Sequence, residues 1–482
     1  MLTLINNNRM VPPIAPIGLD YVASAVRAAG FEVELLDLAL ATDPAAALAS
    51  HFRHHSPELV GLTFRNVDDC FWPSATSFLP QLDRDVAAVR ACTNAPIVLG
   101  GVGYSIFSRP VLERTGADFG VRGDGELALA SLLNQWHHGR NWHQVPGLVY
   151  RDQDRIVANA PAWPHVVDVS SKRDVVDNAT YFRRGGQIGV ETKRGCRRKC
   201  IYCADPVAKG GMARVRPPSV VAQEIDTLWR QGIDVLHLCD PEFNLPIAHA
   251  TAVCEELIRR GLGERVRWYA YLAVLPFPES LAALMRRAGC AGINFTSDSA
   301  HESLLRTYRQ PHRATHLSQA VQHCRRHGLA VMLDMLLGGP GETAETVADT
   351  IAVFKRLDPD CAGAALGARI YPETELAAIV QREGPLESNP NLRRRYTGPV
   401  DFLEPTFYIS SRLGERPAEM VRELIGQDPR FFPPQAEIEG AVSSDHNYND
   451  NRLLVDLIAA GERGAYWDIL RRGGRAAPQD PV

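Results

Sequence analysis

The stretch KRGCRRKCIYC, residues 193–203, decides how the chain is read. It follows the strand-like run QIGVET (187–192), so Cys196, Cys200 and Cys203 fall on one short loop directly after a strand. Three thiolates at this spacing can hold three irons of a cubane 4Fe-4S cluster. A fourth cysteine would close every iron. Three leave one iron open to a chelating small molecule, the same difference that separates open catalytic metal sites from closed structural ones. A zinc knuckle would need a fourth ligand from elsewhere, and inert buried thiols would not explain the clustering beside Arg and Lys. The rest of the 10 cysteines are scattered singly, too dilute for a disulfide scaffold and readable as small hydrophobes.

Working downstream from the loop, short apolar runs alternate with helical patterns. DVLHLC (234–239), VRWYAYL (266–272), AGINFT (291–296), LAVMLDML (329–336) and AALGARIY (364–371) follow QIGVET as strands. Six βα units predict a partial (β/α)6 barrel over 185–385, with its chemistry at the carboxyl ends of the strands. After it, GPLESNPN and an irregular pattern mark a C-terminal extension over 386–482, where GAYWDILRR reads either as a helix packed on the barrel or as a lid. Upstream, 151–184 loses all period and gathers Pro, Asp and Ser, which predicts a linker. Residues 1–150 alternate again through LTLI, VELLDL, ELVGLTF, APIVLGG and ADFGVRG, which predicts a doubly wound, Rossmann-like α/β domain. The fold class is therefore α/β throughout.

Composition narrows the partners. Hydrophobic residues make up 45% and charged residues 22%, as in ordinary globular domains. Lys+Arg total 52 against 56 Asp+Glu, a net charge of −4 with no long basic run; nucleic acid and anionic membranes are not expected partners. No run approaches the ~18–20 apolar residues of a spanning helix, and the start MLTLINNNRM lacks a signal-peptide pattern. A cytoplasmic location is expected.

At the cysteine loop the chain resembles the radical S-adenosylmethionine (radical SAM) superfamily, which places an aromatic residue, here Tyr202, before the last cysteine. The resemblance extends over CDPEFN after the second strand, SDSAHESLL after the fourth, LLGGPGETAET after the fifth and IYPETEL after the sixth. It implies a 4Fe-4S cluster on Cys196, Cys200 and Cys203, with Asp240 and Glu242 toward the methionyl amine of SAM. It also implies a ribose contact through Asp298, standing where the family has Glu, and Ser299. Gly338 and Gly339 fall in the fifth motif and serve either SAM or a tight turn. Arg214 and Arg216 are either structural or in contact with the SAM carboxylate. Reductive cleavage of SAM, fed by an external donor of flavodoxin or ferredoxin type, is the implied first step, followed by hydrogen abstraction from a small polar substrate.

The first domain resembles the cobalamin-binding domain that precedes many radical SAM enzymes, through PPIAPIGLDYVASAVRAAGFEVELLDL, APIVLGG and ADFGVRGDGELALASLL. Cobalamin itself stays open at this point, because none of the 15 histidines has the Asp two residues before it that the Asp-x-His-x-x-Gly signature requires. The turn after ELVGLTF reads FRNVDDCFW, whose bulky Phe64, Arg65, Phe71 and Trp72 are expected to crowd a nucleotide tail. Its polar Arg65, Asn66, Asp68 and Asp69 are expected to bind substrate. Asp68, Asp69 and Glu242 are the candidate proton-transfer carboxylates, and Tyr371 a candidate hydrogen relay or lining residue. On this basis the favoured reaction is radical dehydration of an aminoglycoside-like aminosugar in antibiotic biosynthesis, as in the diol dehydratases of apramycin biosynthesis. The alternative is cobalamin-dependent radical SAM C-methylation in natural-product biosynthesis, and a sensor is disfavoured because it would not need the SAM motifs.

Overall fold

The computed structural model describes residues 1–165, 167, 171–436 and 448–474. Parts of the C-terminal extension, 437–447 and 475–482, lie outside the described residues.

The N-terminal sheet is built from β1 (Leu2–Asn6), β2 (Val33–Asp37), β3 (Leu59–Thr63), β4 (Ile97–Gly100) and β5 (Phe119–Val121), all parallel, extended by the antiparallel β6 (Leu148–Asp152) and β7 (Arg155–Ala158). Its order is β2-β1-β3-β4-β5-β6-β7. Short strands of Leu, Ile and Val are buried on both faces, as parallel strands covered by crossover helices must be. Helix Pro44–His54 starts where Asp43 accepts a hydrogen bond from the Ala46 N–H, and helix Ile17–Ala28 buries Leu19, Val22 and Val26. The strand order reverses between β1 and β3, the switch point where sheets of this order leave a crevice. The segment read as a linker, 151–184, is more ordered than expected: it includes β7 and helix Asn178–Gly185. Polarity hid the hairpin, because β7 is an edge strand with none of its residues fully buried.

The second sheet takes β8 (Ile188–Val190), then β11 (Val235–Leu238), β12 (Arg267–Leu272), β13 (Cys290–Asp298), β14 (Ala330–Leu337) and β15 (Cys361–Leu366), with β19 (Phe431–Phe432) on its edge. A short ladder, β9 (Lys193–Arg194) with β10 (Arg214–Val215), brackets the cysteine loop. β16 (Ala368–Arg369), β17 (Leu392–Arg393) and β18 (Phe407–Tyr408) form a small antiparallel sheet. The six expected barrel strands are all present and parallel. Their outward residues, among them Leu236, Trp268, Ile293 and Leu333, share one core with the helices; each such side chain contributes roughly 1.5–3 kcal/mol by leaving water.

The inward residues differ by level. At the amino ends, Val235, Tyr269, Met332 and Cys361 pack on Leu454, Trp467 and Leu470, and Tyr269 donates to Asp468 Oδ2 at 2.7 Å. Helix Tyr466–Arg472 is thus a plug under the barrel, which decides between the two readings of GAYWDILRR. The domains are held together by buried charge. Tyr21 donates to Glu224 at 2.9 Å, and Arg173 pairs with both Asp20 and Glu224.

Candidate functional site

Gly195, at φ 77°, turns the chain out of β9. A Cβ there would stand 2.2 Å from the Met212 carbonyl, so no other residue fits. The turn delivers Cys196, whose N–H donates to Gly210 O at 3.3 Å, and a second turn from Cys203 N–H to Cys200 O (3.2 Å) brings the last two cysteines to the same side. Burial pushes the Cys196 thiol up and Cys200 to about 12. Bound iron reverses that preference, since a metal's charge holds its sulfur ligands as thiolates. Gln310 donates to Cys200 Sγ at 3.4 Å, and Arg198 is held by Gln310 and the Leu275 carbonyl. The structure thus brings the three cysteines together and braces them.

The neighbouring candidates divide into engaged and free. Asp240 accepts from Thr192 N–H (2.8 Å), Thr192 Oγ1 (2.5 Å) and Lys193 N–H (3.2 Å); it anchors the start of the cysteine loop. Glu242 accepts from Thr296 at 2.6 Å through one oxygen while the other, buried, has no partner. Burial raises its carboxyl to about 7. Asp298, in the left-handed region at φ 56°, accepts from Tyr202 and Gln310, each at 2.6 Å. Ser299 is buried against Thr350 at 3.0 Å. Gly338 and Gly339 both donate to Glu342, and a Cβ on Gly339 would meet the Tyr308 hydroxyl at 2.0 Å, so close packing accounts for that glycine. Arg214 pairs with Asp124 and Arg216 with Glu224 at the domain interface, which leaves neither aimed at the cysteine loop.

The turn after β3 is built differently from expectation. Phe64 is buried in the N-terminal core and Trp72 in the barrel core. Asp69 accepts from Ser74 Oγ, Phe71 N–H and Thr76 N–H, folding the loop on itself. Asp68, 1% exposed, accepts from Arg369 at 2.8 Å and from Cys70 N–H at 2.9 Å. Tyr371 stands 3.1 Å from Cys70 Sγ, with the Arg369 guanidinium over its ring. Asp68, Asp69 and Tyr371 therefore form a lock between loop and barrel, with both Asp side chains buried and their oxygens taken. Of the four polar candidates in this turn only Arg65 is exposed, facing Cys239, Tyr271 and Tyr466 across the barrel mouth, with Asn66 half-buried beside it.

None of Phe64, Arg65, Phe71 and Trp72 lines the crevice at the switch point, so the crowding premise fails. A cleft opens at the carboxyl ends of β1, β3, β4 and β5, lined by Leu19, Val22, Gly61, Leu99, Gly101 and Leu129 and closed by Glu191, Arg194 and Lys209 from the barrel. Its walls are mostly apolar. Positions 18 and 100 line it as glycines with nothing within 4 Å of where a Cβ would stand. An apolar slot of this shape, glycine-rimmed and at the switch point, fits a bulky heteroaromatic tail; the described residues include no histidine among its lining.

Inside the barrel, above the plug, His237, Tyr271, Asn294 and Asp334 face inward. The sequence reading missed them. A parity signal was there, since Asp334 alternates with Met332 and Leu336 along β14, the positions that point to one face.

Two family models match. The radical SAM superfamily model covers residues 190–354 and the B12 binding domain model residues 6–133. The chain is 30% identical, over 97% of its own length and 95% of the relative's, to the tryptophan 2-C-methyltransferase of Streptomyces laurentii. This chain belongs to the radical SAM superfamily, in the group with an N-terminal B12-binding domain. The structure of the radical SAM methyltransferase TsrM of Kitasatospora setae, solved with tryptophan and a SAM analogue, superposes with a TM-score of 0.91 at 32% identity, over 98% of this chain and 97% of that one. The cobalamin-dependent radical SAM enzyme OxsB shares the fold at 16% identity, with a TM-score of 0.69 over 85% of this chain and 64% of that one. The α/β architecture and the 4Fe-4S cluster and SAM expected from the three cysteines stand as read. The dehydratase reading does not: the relative matched over 97% of this chain is a tryptophan 2-C-methyltransferase and the structure matched over 98% of it a radical SAM methyltransferase, and none of the bulky loop residues that favoured elimination lines the cleft. Among the described residues no helix is long and apolar enough to cross a membrane.

Proposed function

We propose that the chain is a cobalamin-dependent methyltransferase that moves a methyl group from SAM to a carbon of a small aromatic substrate related to tryptophan. The observation that carries this reading is the open apolar cleft at the switch point of the N-terminal sheet, placed against the barrel. Cobalamin, when bound, supplies a carrier that accepts and donates a methyl group. The protein's part is positioning. The cleft residues Leu19, Val22, Leu99 and Leu129 would hold the nucleotide tail out of water, and Arg65 presents a fixed charge at the barrel mouth. Cys196, Cys200 and Cys203 would hold the cluster, and the partnerless Glu242 oxygen is the acceptor available beside it. Asp298, clamped by Tyr202 and Gln310, keeps the cysteine loop in one arrangement, which preserves the alignment a transfer step needs. An external electron donor of flavodoxin or ferredoxin type remains part of this reading.

The test uses anaerobically purified, cluster-reconstituted protein expressed with ample cobalamin. Near-stoichiometric cobalamin, and transfer of a deuterated methyl from labelled SAM to L-tryptophan or another indole followed by mass spectrometry, are the expected results. Protein with a complete cluster but no affinity for cobalamin would overturn the proposal.

A further inference from the structure

The barrel lumen holds a carboxylate that neither the cluster nor the cleft uses. Asp334 lies on β14, and across from it Asn294 on β13 donates Nδ2–H to Asp334 Oδ2 at 2.7 Å. Its other oxygen points toward β15 at Gly363, where a Cβ would stand 2.3 Å from Oδ1. The missing side chain is what gives the carboxylate room. Among the described residues Asp334 makes no ion pair, and the groups that act on it are burial, which raises it to about 6, and the Asn294 amide. Asp334 is half-buried, and a carboxylate drawn partly out of water without a cation is costly unless a partner arrives.

The space beside it is open and aromatic. Tyr271 is 38% exposed although it sits on the inner face of an interior strand, and Ala365 on β15 is exposed too. The lumen at this level therefore admits a ligand. The Tyr271 ring lies 5.1 Å from that of His237, which burial keeps neutral by lowering it to about 4. Arg65 faces the Tyr271 ring from the barrel mouth but makes no ion pair with Asp334, and a carboxylate without an ion pair against an aromatic wall is complementary to a cation carried on an aromatic group.

We propose that Asp334, oriented by Asn294 and accommodated by Gly363, is the anchor for a protonated amine on an aromatic substrate whose ring lies along His237 and Tyr271. This rests on the methyltransferase reading for its substrate class and goes beyond it in assigning how the substrate's nitrogen is recognised.

The experiment measures binding to the cluster- and cobalamin-loaded protein by equilibrium dialysis with three indole probes: tryptamine, L-tryptophan and indole-3-propionate. The two amines are expected to bind roughly tenfold tighter or better than the propionate, the scale of one charge-assisted hydrogen bond. Asp334→Asn should bring the three to within about twofold of one another, with iron content, cobalamin content and SAM affinity unchanged. If that variant does not retain its cofactors, Gly363→Ala, which forces the carboxylate aside, must lower amine affinity to the same extent. Equal binding of all three probes, no tryptamine binding at millimolar concentration, or an amine preference that survives Asp334→Asn overturns the anchor. Amine preference that depends on Asp334 in a protein that transfers no methyl group would leave the anchor standing and sink the functional reading; methyl transfer without amine preference does the reverse.

Discussion

The cleft in the N-terminal domain and the mouth of the barrel occupy equivalent places, each beyond the carboxyl ends of a parallel sheet, yet they are made in opposite ways. The barrel mouth is made of side chains that are present: three cysteines, Glu242 with a free oxygen, Asp298 between Tyr202 and Gln310. The cleft is made of side chains that are absent or turned away: Gly18, Gly61, Gly100 and Gly101, with Phe64 folded into the core. Chemistry needs particular atoms, so its sites carry motifs. A slot for a large apolar group needs only vacancy, which many sequences provide without a common pattern.

The contrast breaks most sharply under two substitutions. Cys200→Ala removes an iron ligand and should abolish iron retention and all product formation, while cobalamin content, which depends on the other site, stays near the wild-type value. Loss of both cofactors together would show that the two regions are one folding unit rather than two sites. Gly100→Val is the converse. Its backbone lies outside the left-handed region and its new side chain meets no protein atom within 4 Å at Cβ, so the fold should survive. Cobalamin content should fall by roughly tenfold or more, about 1.4 kcal/mol per decade, with iron content unchanged. Unaltered cobalamin content would place that group outside the cleft.

The same contrast explains what the amino-acid sequence made legible. Strands were visible because buried parallel strands are continuous apolar runs ended by turn glycines, and all six barrel strands lie within a few residues of their expected positions. The cysteine loop was visible because three thiols at that spacing have few other uses. The acidic pair in FRNVDDCFW misled because Asp serves loop folding and substrate binding with the same atoms; only the structure shows Asp68 taken by Arg369 and Asp69 by Ser74. Asp240 is likewise engaged by the chain itself, through Thr192 and Lys193. The bulky loop residues misled because size says nothing of direction. Phe64 and Trp72 belong to two different cores, and that depends on how the domains dock.

Carboxyls at the barrel mouth sharpen the comparison further, because one of them belongs to the fold rather than to the site. Glu342 closes the turn after β14: a single oxygen takes the N–H groups of both Gly338 and Gly339, and the other oxygen is buried without a partner. Burial raises its carboxyl to about 7, against two backbone hydrogen bonds that pull it down. A carboxyl raised on folding binds its proton more tightly in the native chain than in the unfolded one, so stability is highest below the unfolded value, near 4.5, and declines as pH rises through about 7. Glutamine keeps an oxygen for both N–H donors and has no proton to lose. Glu342→Gln should therefore match wild type at pH 5 and exceed it at pH 8 by a few degrees in thermal unfolding, each kcal/mol being worth about 2–4 °C in a domain of this size. Catalytic rate at fixed temperature should be unaffected, because the carboxyl faces its own turn. A gap between variant and wild type that is the same at pH 5 and pH 8 would mean that Glu342 does not titrate in the folded chain; a change in rate without a change in stability would move it from the fold to the site.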